Sequence, residues 1–201
     1  YTLTSFNSPF QNKLKVIELF GKFNSSQNIS CLNCNYSFLS IGGNFVRKGF
    51  PELIDVFSIE PLNKYSLVIK SSAFLNDSNK AENIQLITGR LSEEELLKLY
   101  LSSDIFILNS IDEGFGMVVL EAMYLKRLVI VSKSVGSGEL IDSGLNGFVY
   151  SNIEELCEII QNLKNYDLEA IRNNGFNTAK KYSHEYYGQR WLNQIKEIEN
   201  V

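Results

Sequence analysis

The 201-residue sequence has only one histidine and three cysteines, and this scarcity limits the metal and redox chemistry it can support. Cys31 and Cys34 form a C-x-x-C pair, but a zinc site needs two further ligands. The remaining candidates, Cys157 and His184, are far along the chain in predicted helices. A redox pair would open a helix after a strand, whereas this pair lies among Asn and Ser residues. We therefore expect free thiols and no metal site.

An excess of basic residues and long apolar runs are also missing. The chain has 19 Lys and Arg against 23 Asp and Glu, so nothing in its net charge of −4 favours nucleic acid as a partner. No apolar stretch approaches the roughly 20 residues that a transmembrane helix needs, and no signal peptide is recognisable. We expect a cytoplasmic location, with no nucleic-acid partner and no transmembrane segment in this chain.

What the sequence does contain is an alternation of short apolar runs with segments of helical spacing. Unbroken runs such as 105–108 and 128–131 are typical of strands buried on both faces of a parallel sheet. This alternation predicts an α/β fold with a doubly wound, mostly parallel, Rossmann-like sheet. Predicted strands cover 37–41, 65–70, 84–88, 105–108, 128–132 and 147–150, and predicted helices cover 50–59, 92–101, 117–125, 153–163, 167–182 and 183–198.

The most informative stretch joins the predicted strand 105–108 to the helix at 117–125. Gly114, Phe115 and Gly116 precede this helix, where small residues let a ligand approach free backbone N–H groups and the helix dipole favours an anion. A tight strand-to-helix turn would explain the same glycines without any ligand. Glu113 is either part of a site or a first-turn acid favoured by the dipole.

Glu121 is a carboxylate in a helix that is otherwise apolar nearly all round, and burying it is costly unless it is paired or hydrogen-bonded. It lies about 7–8 Å along the helix from Gly116, at about 1.5 Å per residue. Phosphates at the helix start and ribose hydroxyls on Glu121 would fit one ligand. The alternative is a structural ion pair with Lys126, Arg127 or a more distant base.

A second candidate site follows the first predicted strand. Gly42 and Gly43 allow close backbone approach, and Arg47 and Lys48 bring two cations to the carboxyl edge of the sheet, where ligands bind in open α/β folds. A solvated basic turn is the alternative. The glycine-rich segment 136–139 opens a further short helix, whose N–H groups either contact a phosphate or sugar or simply form a turn.

Glu113 and Glu121, with seven residues between them in the text EGFGMVVLEAM, resemble a known motif. It is the paired-glutamate motif of retaining nucleotide-sugar glycosyltransferases with the glycosyltransferase-B fold, the group 1 or family 4 type. The text at 91–105 and 135–148 resembles the same family, and the likeness covers about residues 38–191. It implies that residues 37–182 are the donor-binding C-terminal domain of a longer chain. Residues 1–36 would be an arm or linker, and the helix in 183–201 would cross to an N-terminal domain that binds a sugar or lipid-linked acceptor.

The resemblance also implies roles for individual residues. Glu113 would hold the sugar hydroxyls, Lys48 the donor diphosphate and Glu121 the ribose, with no metal and no cofactor. The family usually has an arginine where Gly43 stands, so we expect Arg47 to supply that charge. Arg90 either stacks on the base or faces solvent. The expected donor-binding set, besides Glu121, is Gly43, Arg90, Leu91, Gly114, Phe115, Gly116, Met117 and Val118.

Three other functions are also compatible with the sequence. The chain alone could be a nucleotide-binding module without turnover, or part of a sugar-nucleotide epimerase of the same fold. An unrelated flavodoxin-like domain would show no preference for nucleoside diphosphates. Any peripheral contact with the inner face of a membrane would come from the expected N-terminal domain.

Overall fold

The computed structural model describes residues 36–72 and 81–182, which form a single parallel sheet with helices on both faces. The cysteine pair at 31 and 34, almost all of the predicted arm and the helix predicted at 183–198 lie outside these residues. The domain boundaries therefore stay predictions. The strands are β1 Ser37–Gly42, β2 Ser66–Ser71, β3 Ile84–Ile87, β4 Ile105–Leu108, β5 Leu128–Ser132 and β6 Phe148–Tyr150. The α-helices are α1 Phe50–Ser58, α2 Glu93–Leu101, α3 Met117–Tyr124, α4 Ile153–Asn162 and α5 Leu168–Lys180, and 3₁₀ helices span Gly136–Leu140 and Leu163–Asn165.

The six strands follow the order β3-β2-β1-β4-β5-β6, and every neighbouring pair is parallel. This order confirms the predicted doubly wound α/β fold. The winding reverses between β1 and β4, where Phe38 pairs with Ile105 and Leu39 with Phe106. The loops that leave the carboxyl ends of these two central strands are therefore neighbours, although they are far apart in the sequence.

Each face of the sheet has its own hydrophobic core. Alternate residues of a strand point to opposite faces, so Phe38 and Ile107 pack on one side while Leu39 and Phe106 pack on the other. All four residues of β4 are buried. This two-sided burial explains why the strands are continuous apolar runs in the sequence.

Helix α2 begins with a complete capping box. The N–H of Glu95 donates to Ser92 Oγ at 3.3 Å, and the N–H of Ser92 donates to Glu95 Oε2 at 2.8 Å. These bonds satisfy backbone donors that a helix start otherwise leaves unpaired. They fix the beginning of the helix whose last turn carries Tyr100, a residue that is 1% exposed.

None of the helices in the described part of the chain has the length and apolar character that crossing a bilayer requires. Residues 36–72 and 81–182 also hold no cluster of three or more His, Cys, Asp or Glu side chains suited to a metal ion. Cys157 is a half-buried free thiol, as predicted.

We predict that Ser92→Ala lowers the free energy of unfolding by about 1 kcal/mol, because it removes the side-chain oxygen that caps α2. Ser92→Thr, which keeps a hydroxyl in that place, is the matched control and should lose much less. Urea denaturation of both variants measures the difference. Equal stability of the alanine and threonine variants would contradict the capping role.

Candidate functional site

Residues 43–49, here the lysine loop, connect β1 to α1 and carry Lys48 at the centre of the sheet edge. The Lys48 side chain runs back across Gly42, where an added Cβ would lie 2.5 Å from Lys48 Cγ. A glycine is therefore needed at 42 for the lysine to reach inward. At Gly43 an added Cβ would meet only Ser72 Oγ, at 3.8 Å, so close packing inside the protein does not require that second glycine.

Residues 109–116, here the glutamate loop, connect β4 to α3 and place Glu113 directly against Lys48. Lys48 Nζ and Glu113 Oε2 form an ion pair whose side chains are 9% and 15% exposed. Ser110 Oγ also donates to Glu113 Oε2, at 3.4 Å. Local sequence patterns offered these residues as parts of two candidate sites, whereas the family resemblance implied that both hold one donor. The structure brings the two side chains into contact.

Asn109 joins the two loops, a role that sequence analysis missed. Its Nδ2 donates to the carbonyl of Gly49 at 3.1 Å and to Glu52 Oε2 at 2.7 Å, and its Oδ1 accepts from the Tyr150 hydroxyl at 2.6 Å. Gly49 has φ 63°, and an added Cβ there would lie 2.0 Å from the Asn109 carbonyl oxygen. The end of the lysine loop is thus packed on the start of the glutamate loop.

The Tyr150 hydroxyl in this network stays protonated and therefore donates its hydrogen bond to Asn109. Burial, followed by the charge of Glu52, raises the pKa of Tyr150 far above its ordinary value, so the phenol keeps its proton. A second tie between the loops is the N–H of Ile111, which donates to the carbonyl of Arg47 at 2.9 Å. The position of Lys48 therefore depends on bonds made by its neighbours on both loops.

Arg47 and Arg90, the two expected arginines, are both exposed at this edge of the sheet. Arg47 adjoins Lys48, whereas Arg90 and the half-buried Leu91 follow β3, two strands away from β1. Neighbouring strands lie about 4.8 Å apart, so β3 is separated from β1 by about 10 Å across the sheet. Arg90 and Leu91 thus lie well to one side of the ion pair, and their roles stay predictions.

The start of α3 presents unused backbone donors, as the glycines there predict. Gly116 is the N-cap residue, with φ 74° and no side-chain cap. Among the described residues, the N–H groups of Phe115, Gly116 and Met117 find no acceptor. They lie beside Glu113, so an anion bound there would meet both the helix start and Lys48.

The glycine-rich 3₁₀ helix supports the glutamate loop, and this corrects one expectation. The N–H of Gly136 donates to the carbonyl of Glu113 at 3.2 Å, that of Ser137 to Phe115 at 2.8 Å and that of Gly138 to Val135 at 2.8 Å. These donors are consumed inside the protein, so they do not form a further phosphate or sugar contact. The turn interpretation therefore holds for the N–H groups of residues 136–138.

Glu121 is 8% exposed, and its partner is a tyrosine rather than a base. The Tyr100 hydroxyl donates to Glu121 Oε2 at 2.8 Å. Arg127 instead donates to backbone carbonyls, including Leu125 at 2.9 Å and Ser103 at 2.8 Å, and Lys126 lies over the Phe176 ring. The alternative of an ion pair with Lys126 or Arg127 is therefore wrong. Burial raises the pKa of Glu121, and the Tyr100 hydrogen bond opposes that rise.

The sequence matches the family of group 1 glycosyl transferases over residues 34–178, well over half of the chain, and the chain therefore belongs to this family. An uncharacterised glycosyltransferase of Methanocaldococcus jannaschii is 31% identical over 161 residues, covering 75% of this chain and 45% of that protein. A second one from the same organism is 30% identical over 191 residues, covering 90% of this chain and 48% of that protein. The chain thus spans about half the length of these relatives.

Solved structures show the same fold. The C-terminal domain of a group 1 family glycosyl transferase, LpcC from Francisella tularensis, aligns with a TM-score of 0.58 at 23% identity, covering 72% of this chain and 85% of that chain. Anabaena Alr3699/HepE, solved in complex with UDP-glucose, aligns with a TM-score of 0.67 at 19% identity, covering 95% of this chain and 54% of that chain. Family and fold agree with the resemblance seen in the sequence.

We predict that Gly136→Ala lowers the free energy of unfolding by about 2 kcal/mol or more, because overpacking against backbone forces a shift. The added Cβ would lie 1.8 Å from the Gly114 carbonyl oxygen. Gly138→Ala in the same 3₁₀ helix is the control, since its Cβ would come no closer than 3.6 Å to Val131. Urea denaturation compares the two. Equal stability would refute the proposed packing of this helix on the glutamate loop.

Proposed function

We propose that this chain is the donor-binding part of a glycosyltransferase that transfers a sugar from a nucleoside-diphosphate sugar to an acceptor, with retention at the anomeric carbon. The observation that carries the proposal is the contact of Lys48 with Glu113 beside the unused N–H groups at the start of α3. A cation, a carboxylate and an anion-binding helix start thus meet at the switch point of the sheet.

The diphosphate would take the place of Glu113 as the partner of Lys48. When the bond from the anomeric carbon to the β-phosphate oxygen breaks, negative charge builds on the departing diphosphate. Lys48, the adjacent Arg47 and the N–H groups of residues 115–117 would stabilise that charge. We propose that these groups are sufficient without a metal ion or another cofactor.

Glu113, released from Lys48 by the donor, would hydrogen-bond the sugar hydroxyls and hold the ring in place. The paired-glutamate motif also supports retention, because it resembles that of retaining enzymes. Glu121, further along α3, would accept hydrogen bonds from the ribose. The UDP-glucose complex of Anabaena HepE supports a nucleotide sugar as the donor class.

The alternatives have unequal support. Membership of the glycosyltransferase family argues against an unrelated flavodoxin-like domain and favours transfer over epimerisation. A binding module without turnover of its own fits the observation that the chain spans about half the length of its relatives. We propose that the isolated chain binds the donor and that acceptor binding needs the remainder of such a protein. A cytoplasmic location stays a prediction.

The direct test is calorimetric titration of the full-length protein with UDP, GDP and ADP. We expect saturable binding of one diphosphate, and a loss of affinity of about tenfold or more in Glu121→Ala. Glu94→Ala, on the exposed face of α2, is the control and should bind like the wild type. Lack of binding to all three diphosphates, or normal binding by Glu121→Ala, would contradict the proposal.

Measurements of turnover test the roles proposed for Glu113 and Lys48. Glu113→Gln keeps the size of the side chain but removes the charge, and Lys48→Ala removes the cation. Each should lower kcat/KM for glycosyl transfer by about tenfold or more, which corresponds to about 1.4 kcal/mol of lost transition-state stabilisation. Activity within a fewfold of wild type in either variant would refute that residue's role.

Gly42→Ala tests the path of the Lys48 side chain. The new Cβ would collide with the Lys48 side chain rather than with backbone, so we expect the lysine to leave its place beside Glu113 and the diphosphate affinity to fall clearly. The same substitution made in a Lys48→Ala background should have no further effect on affinity, because interacting residues are not additive. Equal losses in both backgrounds would show that Gly42 acts independently of Lys48.

A further inference from the structure

Glu121 has one carboxylate oxygen engaged inside the protein and one without a partner. Tyr100 donates to Oε2 at 2.8 Å. No other donor in the described part of the chain reaches this carboxylate. We propose that Tyr100 is a positioning residue for the nucleotide, holding Oε2 of Glu121 so that Oε1 faces the ribose hydroxyls. This inference rests on the proposed function, in which Glu121 binds the ribose.

The tyrosine is itself rigidly held. Tyr100 is 1% exposed and lies in the last turn of helix α2, whose start is fixed by the capping box. Its ring packs on Phe106 of β4, with centroids 5.7 Å apart and planes 36° from parallel. The hydroxyl also lies 3.4 Å from the carbonyl oxygen of Val118 on α3. The core of the protein therefore sets the position of this donor before any ligand arrives.

A phenol suits this task better than a base would. An ion pair with lysine or arginine would satisfy Glu121 and compete with a hydroxyl ligand for its charge. A neutral O–H supplies one hydrogen bond to Oε2 and leaves Oε1 free to accept hydrogen bonds from a ligand. Burial keeps the Tyr100 phenol protonated, since desolvation and then the charge of Glu121 raise its pKa well above the ordinary value.

A merely structural bond and a positioning bond differ in one measurable respect. If Tyr100 only satisfies a buried carboxylate, its loss weakens all ligands equally or affects stability alone. If it aims Glu121 at the ribose, the loss depends on whether the ligand has ribose hydroxyls. The ratio of two affinities measured on one folded variant also cancels any general loss of stability.

The full-length wild type is first titrated with UDP, GDP and ADP. The nucleoside diphosphate that binds is then compared with its 2′,3′-dideoxy analogue. Tyr100→Phe keeps the ring and removes the hydroxyl. Tyr65→Phe is the matched control, since Tyr65 is buried in the core on the other face of the sheet. We expect Tyr100→Phe to weaken the ribonucleotide about tenfold and the dideoxynucleotide less than about twofold. Tyr65→Phe should match the wild type for both ligands.

Two results would overturn the positioning role while leaving the proposed function intact. One is that Tyr100→Phe weakens both ligands by the same factor, and the other is that it weakens neither. Failure of the wild type to bind any of the three diphosphates would instead reject the proposed function and, with it, the role of Tyr100. The wild-type titration thus separates the two failures.

Discussion

The side-by-side placement of β1 and β4 is the constraint on which the site depends. Because the winding of the sheet reverses between them, the loops that leave these strands meet although Lys48 and Glu113 are 65 residues apart in the sequence. Asn109 then ties the two loops together, and Gly42 leaves the space that the lysine side chain occupies. The unused N–H groups at the start of α3 lie beside this meeting point. The strand order therefore places a cation, a carboxylate and a helix start with free N–H groups next to one another.

The ion pair has a physical consequence for ligand binding. Taking an ammonium and a carboxylate out of water costs several kcal/mol per ion, and mutual pairing offsets that cost. Lys48 and Glu113 satisfy each other in the structure, and a diphosphate can replace Glu113 as partner without leaving the lysine uncompensated. Glu121 differs from Glu113, because its partner is a neutral phenol rather than a cation. In the proposed function, Glu113 exchanges Lys48 for the sugar hydroxyls, while Glu121 keeps its hydrogen bond from Tyr100.

The sequence alone predicts the strands well, since those such as 105–108 are buried on both faces and leave continuous apolar runs. It also predicts the helix that begins after Ser92, because the cap of that helix is local. It does not identify Tyr100 or Asn109, because their partners are more than 20 residues away and only the packed fold brings them together. The sequence also does not show that Gly42 packs against Lys48 while Gly43 is open, or that the N–H groups of residues 136–138 donate to carbonyls within the protein. These contacts too are formed only in the packed fold. Capping residues and apolar strand runs can be recognised in a sequence, but contacts between residues far apart in the chain cannot.

The measurement that tests the account most directly is a crystal structure of the full-length protein with the nucleoside diphosphate it binds. We predict that Lys48 Nζ has left Glu113 and lies about 2.8 Å from a phosphate oxygen, the distance of a charge-assisted hydrogen bond. The diphosphate should lie against the N–H groups at the start of α3, with the ribose at Glu121. A diphosphate bound elsewhere, with Lys48 still paired to Glu113, would contradict the account.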